Sequence, residues 1–140
     1  MIPSAATEPI QILWKSPIIY VRPFTADTES HFLIQELRSF LATENYNDFE
    51  LQLLPDVYER AAVYIQGIRG INLKRIKPEF TPDADGGIEI EWDHQGRRLV
   101  LSCRRRAGED FISWREAGGR YEGDRASQRL LNDKLDWLIS

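Results

Sequence analysis

Thr81-Pro82-Asp83-Ala84-Asp85-Gly86-Gly87-Ile88-Glu89-Ile90-Glu91-Trp92 is a turn cluster that runs directly into a strictly alternating segment. Proline, aspartate and glycine at this density interrupt regular structure, because they favour turn dihedrals or withhold a backbone donor. Ile88, Ile90 and Trp92 then fall on one side and Glu89 and Glu91 on the other, the period-two signature of a strand with one buried face. After Asp93-His94-Gln95-Gly96 the alternation resumes in Arg97-Arg98-Leu99-Val100-Leu101-Ser102-Cys103, with Leu99, Leu101 and Cys103 on the apolar side. Read as a four-residue loop, residues 93–96 set Trp92 opposite Arg97, Ile90 opposite Leu99 and Ile88 opposite Leu101. A slip of one residue would place Glu91 opposite Leu99, so the apolar pattern selects this register. In it, Glu91 lies across from Arg98 as an ordinary cross-strand ion pair.

Working outward, a third strand is expected at Asp110–Arg115 after the Ala107-Gly108 turn, and a short fourth at Arg120-Tyr121-Glu122 beyond Gly118-Gly119. Asp124 is the expected cap of a terminal helix in which Ala126, Leu130, Leu131, Leu135, Trp137 and Leu138 form a stripe broad enough to cover a sheet face. Upstream, Asp27 or Thr28 caps an expected helix to Thr43, with Phe32, Leu33, Ile34, Leu37, Phe40 and Leu41 as its apolar stripe. Pro55 begins a second, in which Val57, Ala61, Tyr64, Ile65 and Ile68 recur at helical spacing until Gly70. From Asn72 the period changes to two and an extended approach to the turn cluster is expected. The fold class is therefore α+β: a three- to four-stranded antiparallel meander with about three helices packed on it.

A chain of 140 residues has the size of one domain. Pro3, Pro9, Pro17 and Pro23 preclude a long helix near the N-terminus, so residues 1–26 are expected to form an extended arm and residues 27–140 the single domain. That arm carries Trp14, Ile18, Ile19 and Tyr20, and its expected seat is its own domain, with another chain as the alternative. No run of about 18 apolar residues suggests a membrane span, and Met1-Ile2-Pro3-Ser4 lacks the charged and apolar regions of a signal peptide, so a cytoplasmic protein is expected. Cys103 is the only cysteine, which excludes an internal disulfide.

The net charge of −4 is unevenly placed. Residues 1–60 carry four Lys/Arg against nine Asp/Glu, a balance of −5, whereas residues 97–120 carry seven Arg against three acids, a balance of +4. Those seven, Arg97, Arg98, Arg104, Arg105, Arg106, Arg115 and Arg120, are the candidate partner-binding residues. With Trp114 and Tyr121 beside them they suit an acidic protein, since arginine and aromatics are enriched where proteins meet. The alternative is nucleic acid, where guanidinium groups hold phosphates and rings stack on bases. The acidic whole opposes unspecific polyanion binding, so a protein partner is the primary expectation.

Catalytic readings find less. Asp83, Asp85, Glu89 and Glu91 resemble the Pro-Asp…Glu-x-Lys skeleton of Mg²⁺-dependent nucleases, but only five residues separate Asp83 from Glu89 and Glu91 stands where the lysine belongs. A metal-dependent hydrolase is thus a third reading. His31 and His94 are far apart in sequence, Cys103 sits on the apolar side of its strand as an inert thiol, and no zinc or phosphate-loop motif occurs. No cofactor, metal or catalytic residue is assigned.

The Pro82-x-x-Asp85-Gly86-Gly87-Ile88-Glu89-Ile90-Glu91-Trp92 wording, followed by Gly96-Arg97-Arg98-Leu99-Val100-Leu101, resembles a group of small uncharacterised bacterial proteins. They share a Pro-x-x-Asp-Gly-Gly-[apolar]-x-[apolar]-Glu-Trp hairpin preceded by a helix and followed by a leucine-rich C-terminal helix, and the resemblance covers roughly residues 55–138. It implies the fold and a bacterial cytosolic origin, and no activity. The reading that results is a non-catalytic protein-binding or accessory domain.

Overall fold

The computed structural model describes residues 28–41 and 53–140. The expected N-terminal arm therefore lies outside the described residues, as does Asp27. Helix α1 spans Thr28–Arg38, α2 Pro55–Gln66, the short α3 Gly70–Arg75, and α4 Gln128–Ile139. Five strands follow one another: β1 Glu79–Pro82, β2 Ile88–His94, β3 Arg97–Cys103, β4 Phe111–Arg115 and β5 Glu122–Arg125. They form one antiparallel sheet in the order β1-β2-β3-β4-β5. The class is α+β as expected, with one strand more than the upper count.

Alternation buries one face of that sheet. Ile88, Ile90 and Trp92 of β2, Leu99, Leu101 and Cys103 of β3, and Ile112 of β4 are all essentially inaccessible. They share a core with Val57, Ala61 and Ile65 of α2 and Leu131, Leu135 and Leu138 of α4. α1 adds Leu33 and Leu37 to the core, and Phe40 just beyond its end meets Phe80 of β1 edge to face. Phe32, expected in the apolar stripe of α1, is instead 68% exposed. Apart from Val100, which is 8% exposed on the opposite face, the buried apolar residues of the sheet lie on this side, and among the described residues the helices pack there.

The hairpin register departs from expectation. The observed pairs are His94 with Arg97, Trp92 with Leu99, Ile90 with Leu101 and Ile88 with Cys103. The loop contains two residues, Gln95 at φ 50° and Gly96 at φ 84°, and two successive positive φ values match the twist of a tight hairpin. The ladder on β2 thus runs two residues further toward the loop, to Asp93 and His94. A shift of two residues leaves every side chain on its original face, so the buried set is unchanged. Glu91 now stands opposite Val100, and Arg98 opposite Asp93.

Other departures have local causes. α1 ends at Arg38, where Ser39 Oγ donates to the Glu36 carbonyl at 2.6 Å. The segment expected to be extended from Asn72 begins as α3, and its Asn72 Nδ2 donates to Asp136 Oδ1 of α4 at 3.0 Å. β1 was not expected. It pairs Phe80 with Ile90 and Pro82 with Ile88, and edge placement tolerates the proline's missing donor. β5 begins at Glu122, where the expected strand ended, because the turn after β4 is longer. The cap of α4 is Ser127, whose Oγ accepts from Leu130 N at 3.1 Å, in place of Asp124, which lies in β5. Gly67 terminates α2: a Cβ there would come within 2.4 Å of the Gln128 side chain, which caps the Tyr64 carbonyl.

Candidate functional site

The seven candidate arginines lie in three places. Arg97 and Arg98 are neighbours on β3 and so point to opposite faces of the sheet. Arg97 faces the helices. One of its Nη atoms donates to the Trp137 carbonyl at 2.6 Å and to Ser140 Oγ at 3.1 Å, its Cζ lies 5.0 Å from the centre of the Trp137 ring, and Nε is 3.6 Å from Glu116. It neutralises the carbonyl end of α4, where a cation is favoured by the helix dipole.

Arg98 faces the open side. Its Nε lies 2.8 Å from Asp93 and 3.3 Å from Glu91. The bond to Asp93 and one to Tyr121 hold its proton more firmly than usual. Partial burial and a hydrogen bond to Asp93 push the Glu91 carboxyl up, while Asp93, despite its own desolvation, is held below the usual range by bonds from Arg98 and Glu91. Among the described residues Arg115, directly across from Arg98, makes no ion pair; its guanidinium sits 4.8 Å above the Tyr121 ring. Arg120 lines a shallow cleft of about 220 Å³ with Trp114, Arg115, Glu122 and Trp137. A second cleft of about 260 Å³, formed by Asp93, His94, Arg97, Arg98 and Arg115, adjoins it at the same end of the sheet. Lys134 of α4 already occupies the Trp114 face, with Nζ 4.0 Å from the ring centroid.

Arg104, Arg105 and Arg106 form the third group, just beyond the far end of β3. Arg104 is seven positions along the chain from Arg97, about 23 Å at the usual rise. Their loop is fixed from beneath by a buried charge network. Asp110, 5% exposed, accepts from the Arg104 backbone N–H at 2.8 Å and from Arg60 Nε of α2 at 3.0 Å. Arg60 also donates to the Arg104 carbonyl and to Asp56. The Arg105 side chain is exposed, and Arg106 reaches Glu109 at 3.8 Å. Sequence reading missed this clamp because its two halves are fifty residues apart; the Asp56/Arg60 spacing suggested no more than a helix-surface pair.

The acidic cluster is divided between turn and sheet. Asp83 Oδ1 accepts from Asp85 N at 2.8 Å and Gly87 N at 3.0 Å, which closes the turn before β2. A Cβ on Gly87 would stand 2.6 Å from the Cys103 carbonyl, so this close approach requires glycine. Glu89 and Glu91 lie on the open face of β2, and Asp85 is exposed. Among the described residues no three His, Cys, Asp or Glu side chains are grouped to hold a metal ion. His94 pairs across the hairpin with Arg97, and His31 lies beside Phe32 on α1. Among the described residues no helix is long and apolar enough to cross a membrane.

Cys103 is fully buried, and burial, with the nearby Asp110 charge, pushes its thiol from 9.0 up to about 12. The folded state therefore keeps the proton that the unfolded chain releases. Its contribution to stability is complete below about pH 9 and is lost as pH rises through about 12. At pH 8 iodoacetamide is expected to alkylate the native protein about a thousandfold more slowly than the urea-unfolded chain, as mass spectrometry would show. Equal rates would place the thiol at the surface.

Comparison with protein-family models, with curated proteins and with solved structures yields no match to this chain.

Proposed function

We propose that this is a non-catalytic protein-docking domain whose binding surface is the sheet face that no helix covers among the described residues. The observation that carries the reading is the segregation of charge on that face. Glu79, Glu89, Glu91 and Asp93 occupy β1 and β2, whereas Arg98, Arg115 and Arg125 occupy β3, β4 and β5. Glu79 stands directly opposite Glu91, and Arg98 directly opposite Arg115. Like charges paired across strands destabilise a sheet, and an oppositely charged surface relieves them. Between the two halves run the low side chains Val100 and Ser102, with Phe111 laid against Gly123 beside them. Both clefts at the sheet end are shallow, which suits a broad surface contact better than an enclosed small substrate.

Nucleic acid is the second reading, supported by Arg98, Arg115 and Arg120 near Tyr121. Four carboxylates on the same face oppose it, because a polyanion laid along the sheet would meet them. Cross-linking in the native cell followed by mass spectrometry tests the choice. Contacts with protein are expected on β2–β5, lost in Arg115→Glu/Arg125→Glu and retained in Arg104→Glu/Arg105→Glu. Oligonucleotides are expected to bind no more tightly than about 10⁻⁴–10⁻⁶ M at physiological salt. Submicromolar, steeply salt-dependent oligonucleotide binding that disappears in Arg115→Glu/Arg125→Glu would overturn the protein reading.

A further inference from the structure

We infer that the cleft between β4, the turn that follows it and the end of α4 receives the carboxyl-terminal residue of the docked protein. The terminal carboxylate is held by Arg115 and Arg120, and the last side chain, apolar or aromatic, packs on Trp114 and Trp137. This rests on the docking reading above and names the group that the partner presents. Three elements build the cleft, which has a volume of about 220 Å³: Trp114 comes from β4, Glu116 and Arg120 from the turn before β5, and Trp137 from α4. Arg115 lines this cleft and also the neighbouring one of about 260 Å³, so the site joins the open face at that residue. Its walls are fixed in advance. Gly119 N–H donates to the Glu116 carbonyl at 2.9 Å, which closes the turn, and Arg97 links Glu116, at 3.6 Å, to the Trp137 carbonyl, at 2.6 Å.

The charges around the cleft are unbalanced. Arg97 and Glu116 offset each other, and Asp93, level with Arg115 across the sheet, is bonded to Arg98. Among the described residues Arg115, Arg120 and Lys134 make no ion pair, and neither does Glu122. Three cations therefore stand against one carboxylate, an excess that an oxyanion relieves, and a guanidinium group takes a carboxylate through two parallel N–H donors. Lys134 Nζ lies 4.0 Å from the centre of the Trp114 ring and 5.6 Å from that of Trp137, so the faces of two indoles, in place of a carboxylate, hold its ammonium. Both rings also line the cleft, where they offer an apolar wall.

Size and charge select the occupant. A volume of about 220 Å³ is below the ~300–1,000 Å³ of sites that enclose a whole small molecule, so the cleft admits little more than one residue of a larger partner. A chain end carries its carboxylate and its last side chain on one Cα, and so meets guanidinium groups and indoles together. An internal aspartate or glutamate brings the carboxylate without an apolar body. A phosphorylated side chain brings a dianion, which the unpaired Glu122 opposes, whereas that same carboxylate is an acceptor for the peptide N–H of a terminal residue.

NMR titration of the ¹⁵N-labelled full chain, read at the indole N–H signals of Trp114 and Trp137, tests the site with N-acetylphenylalanine, its carboxamide and phenyl phosphate. The free acid is expected to shift both signals with a Kd on the order of 1 mM, as suits a ligand of its size. The carboxamide, which lacks the charge, is expected to bind at least about tenfold more weakly. Arg120→Gln, on the exposed turn, is expected to weaken the acid about tenfold with unchanged circular dichroism, and Arg105→Gln, in the opposite loop, to leave it unaltered. Indole signals that stay in place at about ten times the expected Kd, equal binding of acid and carboxamide, phenyl phosphate binding about tenfold more tightly than the acid, or an Arg120→Gln chain that binds like the wild type would each overturn the inference. If these probes fail while another protein still cross-links to β2–β5 and is lost in Arg115→Glu/Arg125→Glu, only the cleft inference falls. If the acid binds but no protein maps to the open face, the docking reading falls, and with it the partner's terminus as occupant.

Discussion

Ile90→Ala is expected to destabilise the domain by about 2–5 kcal/mol, read as a lower urea midpoint with unchanged m-value. Ile90 is inaccessible, lies between Phe80 of β1 and Leu101 of β3, and faces the helical layer. Truncation removes transfer energy and leaves a cavity that the surrounding strands, held by ladders on both sides, fill only in part. Glu89→Ala, one residue away on the open face, is expected to change stability by less than about 0.5 kcal/mol. The register has its own signature. Ile90→Ala and Leu101→Ala should couple as directly paired residues do, by about 0.5 kcal/mol or more, with weaker coupling between Ile90→Ala and Leu99→Ala, which are diagonal neighbours. The reverse order would restore the four-residue loop.

Asp110→Ala is expected to cost about 2–4 kcal/mol, somewhat less than the loss of one member of a fully buried pair because Arg60 retains 23% exposure. The carboxylate joins α2 to the β3–β4 loop by accepting from Arg60 and from the Arg104 backbone, while the Asp110 carbonyl accepts from Ala126 N ahead of α4. Removing it leaves a guanidinium against the β3–β4 end of the sheet with carbonyl and Asp56 partners alone. Arg60→Met in the same background is expected to recover a large part of the loss, because the unpaired charge is then gone. Thermal unfolding of the two single variants and the double variant measures this. Additive losses would show that the two residues act independently.

The C-terminal cap shows how little a local charge count says about availability. Arg97 and Arg98 are chemically identical and adjacent, yet one is engaged at the end of α4 and the other is pinned between two acids. Of the seven arginines read from sequence, Arg98 and Arg115 reach the open face, Arg120 lies at its end, and Arg104, Arg105 and Arg106 occupy the opposite loop. Glu79 and Arg125, which complete the segregated charge pattern of the open face, lie on edge strands whose bounds sequence reading did not anticipate.

The sequence by itself determined the faces. Period-two alternation in Ile88–Trp92 and Leu99–Cys103, and helical spacing in Val57–Ile65 and Leu131–Leu138, mark the side chains that must leave water, and they form the core. Alternation is blind to a shift of two residues, however, because such a shift preserves every face. Only the tertiary structure chose the register, through the tight turn at Gln95-Gly96. It likewise decided which charges are paired within the chain and which remain on the open sheet. Those partners, Arg60 with Asp110, Arg97 with α4, and Glu79 beside Glu91, are brought together by folding across long stretches of chain, at distances that no local periodicity encodes.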